Sequence, residues 1–395
     1  MENASYLQGQ STGSVLNPNP KNHEIEKLRA IAIIFVMLWH NNDILLGVWG
    51  ITPRYYGTWT GVDLFFCISG YVITKSLLAS LAADSSRDYL VGFYTKRIFR
   101  IWPSVLCCIG AALLIAYLCI KHAGPNLFDD ASKDALPALL NYANFSFFFN
   151  PKNHGRAFLG VFWSLSLEEQ FYLIIPFLLW WFRRRLPVFM VLLLALAFFQ
   201  FVQQREPWKV LWWSLRTDAL IYGVIIAVIE YRYNPFFQNA GRRIASYRPV
   251  ITLLLLPALF ALLAVVCAHI FLPHIPLQVS WAGVISACLV FIAALNRGLV
   301  LNSALSSPAL IWIGSRSYAL YLFHNIVFIT IKVINFHQLH IAFDRSNISY
   351  YFLVLTAIGC LCGLCELCYR FVEVPLRNIG RGIAARHFSR TKIPA

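Results

Sequence analysis

The stretch KLRAIAIIFVMLWHNN, from Lys27 to Asn42, decides how the rest of the chain is interpreted. Its middle is as apolar as a membrane span, yet it carries Arg29 near one end and His40 eleven residues later. Eleven residues of α-helix turn through roughly 1100°, close to three full turns, and rise about 16 Å. The spacing therefore predicts that Arg29 and His40 share one face of a membrane helix at two depths. Because an ionisable side chain inside hydrocarbon costs about 2.5–3.5 kcal/mol on insertion scales, the pair indicates a functional role.

The composition around this stretch is that of an integral membrane protein. Of the 395 residues, 58% are hydrophobic and only 13% are charged, and the mean hydropathy is +0.61. Apolar runs long enough to cross about 30 Å of hydrocarbon recur along the chain, and one of them is continuous from Ala309 to Ile334. The sequence predicts an all-α integral membrane fold with about ten transmembrane helices.

The distribution of basic residues predicts the orientation. The formal charge is +15, and such an excess can indicate nucleic acid, anionic lipid or membrane topology. Both termini and the loops on one side hold most of the Lys and Arg, which assigns them to the cytoplasm and leaves little basis for nucleic acid binding. We expect a flexible cytoplasmic tail over residues 1–24, a transmembrane domain over residues 25–377 and a basic cytoplasmic tail over residues 378–395.

Depth along the predicted helices brings polar side chains into one layer in the outer half of the membrane. A neutral histidine in such a layer can remove the proton of an attacking alcohol, and a carboxylate on its other ring nitrogen would fix the tautomer, as acyl transfer to a hydroxyl requires. We expect Asp63 or Glu168 to orient His40 in this way, and Arg216 and Asp218 to neutralise each other. The titratable or charged members of the layer are His40, Asp63, Glu168, Arg216, Asp218 and His324.

A second layer, on the cytoplasmic side, is rich in arginine. Arg29 lies at that end of the first helix, and the sequence KRIFR places Arg97 and Arg100 at i, i+3, where they are neighbours on one helix face. Arginine forks suit phosphate groups because they form charge-assisted hydrogen bonds. Phosphates held here and a base about 16 Å further out point to one extended donor threaded between them. Coenzyme A, with a nucleotide end and a long pantetheine arm, has that shape.

Seven motifs together resemble the membrane-bound acyltransferase 3 family. They include Ser69 in FFCISGY, Trp163 and Tyr172 in WSLSLEEQFY, and Tyr318 in SYALYLFH, all of which we expect to support the site or the substrate. The full set, in chain order, is Arg29-x10-His40, FFCISGY (65–71), Arg97-x2-Arg100, WSLSLEEQFY (163–172), Arg216-x-Asp-x-Leu-x2-Gly223, SYALYLFH (317–324) and VEVP (372–375).

The resemblance implies a ten-helix fold that transfers acetyl or other acyl groups from cytoplasmic acyl-CoA to sugars. In the family the acceptors are often bacterial surface polysaccharides such as O-antigen, capsule or exopolysaccharide, some of them lipid-linked. The equivalent of His40 is regarded as catalytic and the arginines as donor-binding. Some members carry a fused extracytoplasmic hydrolase-like domain, so we expect this chain to act alone or with a separate partner of that kind. The membrane would be the bacterial inner or plasma membrane.

Other readings of the same residues stay open. Arg29 can anchor the helix by snorkelling to lipid headgroups, Arg97 and Arg100 can be topology charges, and buried charges can line the path of a transporter or flippase for a polysaccharide precursor. The cysteines near residues 360–368 lie on one helix, and ligands from one continuous helix cannot converge on a tetrahedral ion. We therefore predict no metal site.

Overall fold

The computed structural model describes residues 22–46, 56–81, 86–119, 126–149, 158–203, 216–266, 268, 277–301, 307–343 and 346–391. Residues 1–21 of the predicted N-terminal tail lie outside the described residues. The first helix begins at His23 because Asn22 caps it: the side-chain oxygen accepts hydrogen bonds from the N–H groups of Glu24 and Ile25.

Every regular element in the described ranges is a helix. The helices are α1 (His23–His40), α2 (Asn42–Leu45), α3 (Gly61–Leu81), α4 (Ser86–Leu118), α5 (Asn126–Leu139), α6 (Ala143–Phe149), α7 (Phe162–Phe182), α8 (Leu186–Val202), α9 (Asp218–Arg232), α10 (Asn234–Ser246), α11 (Arg248–Val265), α12 (Gln278–Ala294), α13 (Ser307–Ser315), α14 (Ser317–Ile334), α15 (Ile348–Leu367) and α16 (Val374–Thr391).

Several of these helices have the properties of membrane spans. Large apolar side chains such as Leu253, Phe352 and Phe371 are exposed on the outside of the bundle, as expected where helices face lipid rather than water. The prediction of an all-helical integral membrane protein is confirmed, whereas the number of spans and the cytoplasmic termini stay predictions. Among the described residues, five helical stretches are long and apolar enough to cross a membrane: Thr58–Leu81, Asp88–Leu118, Arg248–Val265, Ser317–Leu339 and Ile348–Arg386.

Helix α3 lies at the centre of the bundle. It packs against α1, α7, α9 and α12, and most extensively against α9. The backbones of α3 and α9 touch where two glycines meet: a Cβ on Gly70 would lie 2.2 Å from the Leu220 carbonyl oxygen, and one on Gly223 would lie 2.1 Å from that of Cys67. Small residues at such crossings let membrane helices pack by close van der Waals contact.

One predicted apolar run is divided in the structure. The apolar run from Ala309 to Ile334 is divided into α13 and α14 at Arg316, whose φ of −104° and ψ of 6° leave the helical region. The guanidinium of Arg316 donates to the carboxylate of Glu366 on α15 at 2.8 Å, so the break places the charge beside a partner. At the other end, α16 includes residue 377, and the domain boundary placed there stays a prediction.

Candidate active site

The first turn of α1 is fixed by the segment that follows α12. The carboxylate of Glu24 accepts hydrogen bonds from the three backbone N–H groups of residues 298–300, at 2.6 to 3.0 Å. The ammonium group of Lys27 donates to the carbonyl oxygens of Val300 and Leu301, each at 3.2 Å. These bonds set the rotation of α1, and with it the directions of Arg29 and His40.

At the other end of α1, His40 faces His324 of α14. The Nδ1 atom of His40 lies 3.4 Å from Nε2 of His324, and the ring centroids are 5.2 Å apart. The same Nδ1 atom is 3.0 Å from the carbonyl oxygen of Val36. The structure thus corrects the predicted partner: the ring beside His40 is a second imidazole, and the hydrogen bonds of Asp63 and Glu168 go to other residues.

Asp63 belongs to a buried ion pair with Arg216. Both side chains are at most 2% exposed. The guanidinium of Arg216 donates hydrogen bonds to both carboxylate oxygens of Asp63, and its Nε atom lies 2.8 Å from Oδ1. The guanidinium also lies 4.3 Å from the centre of the Trp59 ring. Asp63 was not predicted as a partner of Arg216; Asp218, the expected partner, lies buried at the start of α9, and its pairing with Arg216 stays a prediction. Asp63 therefore compensates the buried positive charge of Arg216.

Glu168 is held in a short polar cluster with Ser69 and Tyr172. Both hydroxyl groups hydrogen-bond to Oε1 of Glu168 and also contact each other. Glu168 and Tyr172 are four residues apart and so share a face of α7, while Ser69 comes from α3. The ring of Tyr172 lies 4.8 Å below the guanidinium carbon of Arg97. The structure thus groups Glu168 with the arginine layer instead of the predicted histidine layer.

The three arginines predicted to bind phosphate lie together on one cavity. Arg29 is bound by Glu26 of its own helix at 3.1 Å. Arg97 rests on the rings of Tyr172 and Phe93, and neither Arg97 nor Arg100 forms an ion pair with a carboxylate of the described residues. Two guanidinium groups are therefore free to bind an anion.

The cavity has a water-accessible volume of about 90 Å³, and its lining includes both the arginines and the Glu168 cluster. Its wall on α14 is formed by Ser317, Tyr318 and Tyr321, and His324 follows one helical turn later. The rings of Tyr321 and His324 are 5.8 Å apart. The histidine pair therefore lies just beyond the end of the cavity that is remote from the arginines.

Two hydroxyl groups of this wall were not predicted. Ser164 hydrogen-bonds to Tyr321, whose hydroxyl also donates to the Val161 carbonyl oxygen at 3.0 Å. Both could have been found in the sequence, because Ser164 precedes Glu168 by four residues and Tyr321 precedes His324 by three, spacings that share a helix face.

The two predicted supporting aromatics have structural contacts. Tyr318 donates to the Ile101 carbonyl oxygen at 3.2 Å and lines the cavity. Trp163 packs edge-on against Phe66 at 6.4 Å. These contacts join α14 to α4 and α7 to α3, so both rings hold the cavity wall in place.

The fold and the site define an integral membrane protein with a polar cavity inside its helical bundle, arginine-lined at one end and close to paired histidines at the other. The chain belongs to the Acyltransferase domain family (Acyl_transf_3), whose model matches residues 22–367. The family membership predicted from the motifs is thereby confirmed.

Curated relatives carry related names. The chain is 29% identical over 377 residues to O-acetyltransferase OatA of Staphylococcus aureus (strain NCTC 8325), a match that covers 90% of this chain and 57% of the relative. It is 28% identical over 376 residues to peptidoglycan O-acetyltransferase OatA of Listeria monocytogenes serovar 1/2a, covering 90% and 56%. The chain therefore spans little more than half the length of these relatives. No solved structure matches it significantly.

Proposed function

We propose that the protein is a membrane O-acyltransferase that moves an acetyl group from acetyl-CoA to a hydroxyl group of a cell-surface saccharide. The family and the names of the relatives support the reaction class. The observation that carries the proposal is the single cavity that joins Arg29, Arg97 and Arg100 to the neighbourhood of the histidine pair. A long donor with phosphates at one end and a thioester at the other fits this arrangement.

Donor binding is assigned to the arginine end of the cavity. Arg97 and Arg100 form no direct ion pair with a carboxylate among the described residues. Together with Arg29 they outnumber Glu168, the one carboxylate among the residues that line the cavity, and this excess of positive charge favours the binding of an anion. The phosphates of acetyl-CoA would supply that anion from the cytoplasm. The pantetheine arm would then extend along the tyrosine-lined wall towards His324.

Proton transfer is assigned to His40. Its free ring nitrogen would take the proton of the acceptor hydroxyl as the oxygen attacks the thioester carbonyl. As the new C–O bond forms, the C–S bond breaks, and the proton passes from His40 to the departing thiolate. In sum, the acetyl thioester and the alcohol become an acetyl ester and a free thiol.

The acceptor is proposed to be a polysaccharide or lipid-linked saccharide at the outer face of a bacterial inner or plasma membrane. One relative is named for peptidoglycan, which makes a sugar hydroxyl of a cell-wall polymer the first acceptor to test. Both termini would be cytoplasmic, and a separate extracytoplasmic acyltransferase could complete the transfer.

The test uses purified protein in detergent with acetyl-CoA and a cell-wall saccharide. We expect free thiol to appear only when the acceptor is present, and His40→Ala to lower the rate by about 10²- to 10⁴-fold, the usual contribution of a general base. A flippase would release no thiol. Full activity in His40→Ala, normalised to folded protein, would remove His40 from the chemistry.

A further inference from the structure

The two histidines can be assigned tautomers from their neighbours. His324 is fully buried, and its Nδ1 atom lies 2.8 Å from the carbonyl oxygen of Tyr321 and 3.2 Å from that of Leu320. Carbonyl oxygens only accept hydrogen bonds, so Nδ1 of His324 must carry the ring hydrogen. In a neutral imidazole the other nitrogen then has a free lone pair. Nε2 of His324 is therefore an acceptor.

The same argument assigns the tautomer of His40. Its Nδ1 atom faces Nε2 of His324 at 3.4 Å and the carbonyl oxygen of Val36 at 3.0 Å. Both neighbours are acceptors, so Nδ1 of His40 must carry the hydrogen. Nε2 of His40 is then the unprotonated nitrogen, and the His40 side chain is only partly buried.

We propose that His324 is a positioning residue that holds His40 in the tautomer with hydrogen on Nδ1, which leaves Nε2 of His40 as the base. The inference rests on the proposed function of His40. When Nε2 takes the acceptor proton, the Nδ1–H group keeps donating to Nε2 of His324, and the orientation of the ring is preserved. The neutral imidazole would thus fix the tautomer and orientation of the base, as a carboxylate does in hydrolase triads, but without the negative charge of a carboxylate.

The charges around the pair explain why an imidazole can fill this role. Asp63 is paired with Arg216, and Glu168 accepts hydrogen bonds from two hydroxyl groups. Beyond His324 on the same helix, Lys332 is paired with Asp43 at 2.9 Å. Each of the three carboxylates therefore has its own partner, and the second ring nitrogen of His40 is satisfied by His324 and Val36.

The first test compares two variants of His324. In His324→Leu the imidazole acceptor is lost and only the Val36 carbonyl oxygen still faces Nδ1 of His40. We expect kcat to fall about 10- to 100-fold while the affinity for acetyl-CoA changes by less than about twofold, since control of the tautomer and orientation of the ring acts on the chemical step. In His324→Gln the side-chain oxygen can accept from Nδ1–H of His40, and most of the lost rate should return. His337→Leu, at an exposed position further along the same helical stretch, is the matched control and should leave both parameters unchanged.

A second measurement does not depend on activity. In protein labelled with 15N-histidine, with His40 assigned by comparison with His40→Ala, we expect a protonated Nδ1 and an unprotonated Nε2. The opposite tautomer would overturn the inference, as would unchanged kcat in His324→Leu or equal losses in the Leu and Gln variants. If His40→Ala is fully active, the proposed function fails, whereas the 15N spectra of the parent and of His324→Leu still report whether His324 sets the tautomer of His40.

Discussion

At the scale of single residues, the buried charges fall into two groups with different tasks. Asp63 of α3 and Arg216, which lies just before α9, form a buried ion pair, as is typical of structural charges inside a membrane protein. Arg97 and Arg100, in contrast, face a cavity without a carboxylate partner among the described residues. A buried ion pair indicates a structural role, whereas arginines that line a cavity without a direct ion pair indicate a binding site for an anion.

The Asp63→Asn variant tests the structural group. It leaves the buried guanidinium of Arg216 without a counter-charge, and breaking such a pair costs about 3–5 kcal/mol. We expect a lower melting temperature and less folded protein. The double variant Asp63→Leu with Arg216→Met should recover stability, because it removes both charges. If Asp63→Asn were as stable as the parent but inactive, Asp63 would belong to the chemistry.

The Arg100→Ala variant tests the ligand-binding group. Loss of one charge-assisted contact should weaken acetyl-CoA binding by about 1.5–3 kcal/mol, or roughly 10- to 100-fold, when titrated calorimetrically. Arg370→Ala is the control, since Arg370 is 67% exposed and bound to Glu366. Equal donor affinity in Arg100→Ala and the parent would leave Arg100 as a topology charge.

At the scale of elements, the contact of α3 with α9 positions much of the site. Helix α3 carries Asp63 and Ser69, and α9 begins directly after Arg216 and Thr217. Gly70 and Gly223 let these two backbones touch, which brings the ion pair and the cavity wall into register. The site therefore depends on a crossing that contains no catalytic group.

The Gly223→Ala variant tests this crossing. The added methyl group would lie 2.1 Å from the Cys67 carbonyl oxygen, so the helices must separate, at a cost of about 1–3 kcal/mol for overpacking. We expect a lower melting temperature in detergent and reduced transfer. Gly363→Ala is the matched control, because a Cβ there has no neighbour within 4 Å among the described residues. An unchanged melting temperature in Gly223→Ala would contradict the close approach.

At the scale of the whole molecule, insertion into a membrane explains both the charge of +15 and the apolar outer surface. The helices bury polar groups around α3 and present leucine and phenylalanine to lipid. Orientation in the membrane then follows from which side holds more Lys and Arg. This orientation determines the side from which the arginine end of the cavity is reached.

Reporter fusions test the orientation. A reporter fused after Ala395 should be cytoplasmic, and one inserted near Lys133, an exposed residue of α5, should lie outside. We would measure an alkaline phosphatase and a fluorescent reporter at both positions. The reverse pattern would put Arg29, Arg97 and Arg100 on the outer side and exclude a cytoplasmic donor.

The amino-acid sequence by itself determined the class of protein and much of its helical order. The apolar runs Phe162–Phe182 and Leu186–Val202 of the sequence coincide with α7 and α8, because hydrophobic length and flanking charges are local properties of the chain. The motifs determined the family, and the depths of Arg29 and His40 followed from their spacing along one helix.

Only the tertiary structure decided which polar side chains meet. Depth can be counted along a helix, but the rotation of each helix and the offset between neighbours depend on crossings such as Gly70 against Gly223. For this reason Glu168 lies with Arg97 through Tyr172, and His40 faces His324. Periodicity fixes positions along an axis, whereas contacts between axes are fixed by packing, which no single segment encodes.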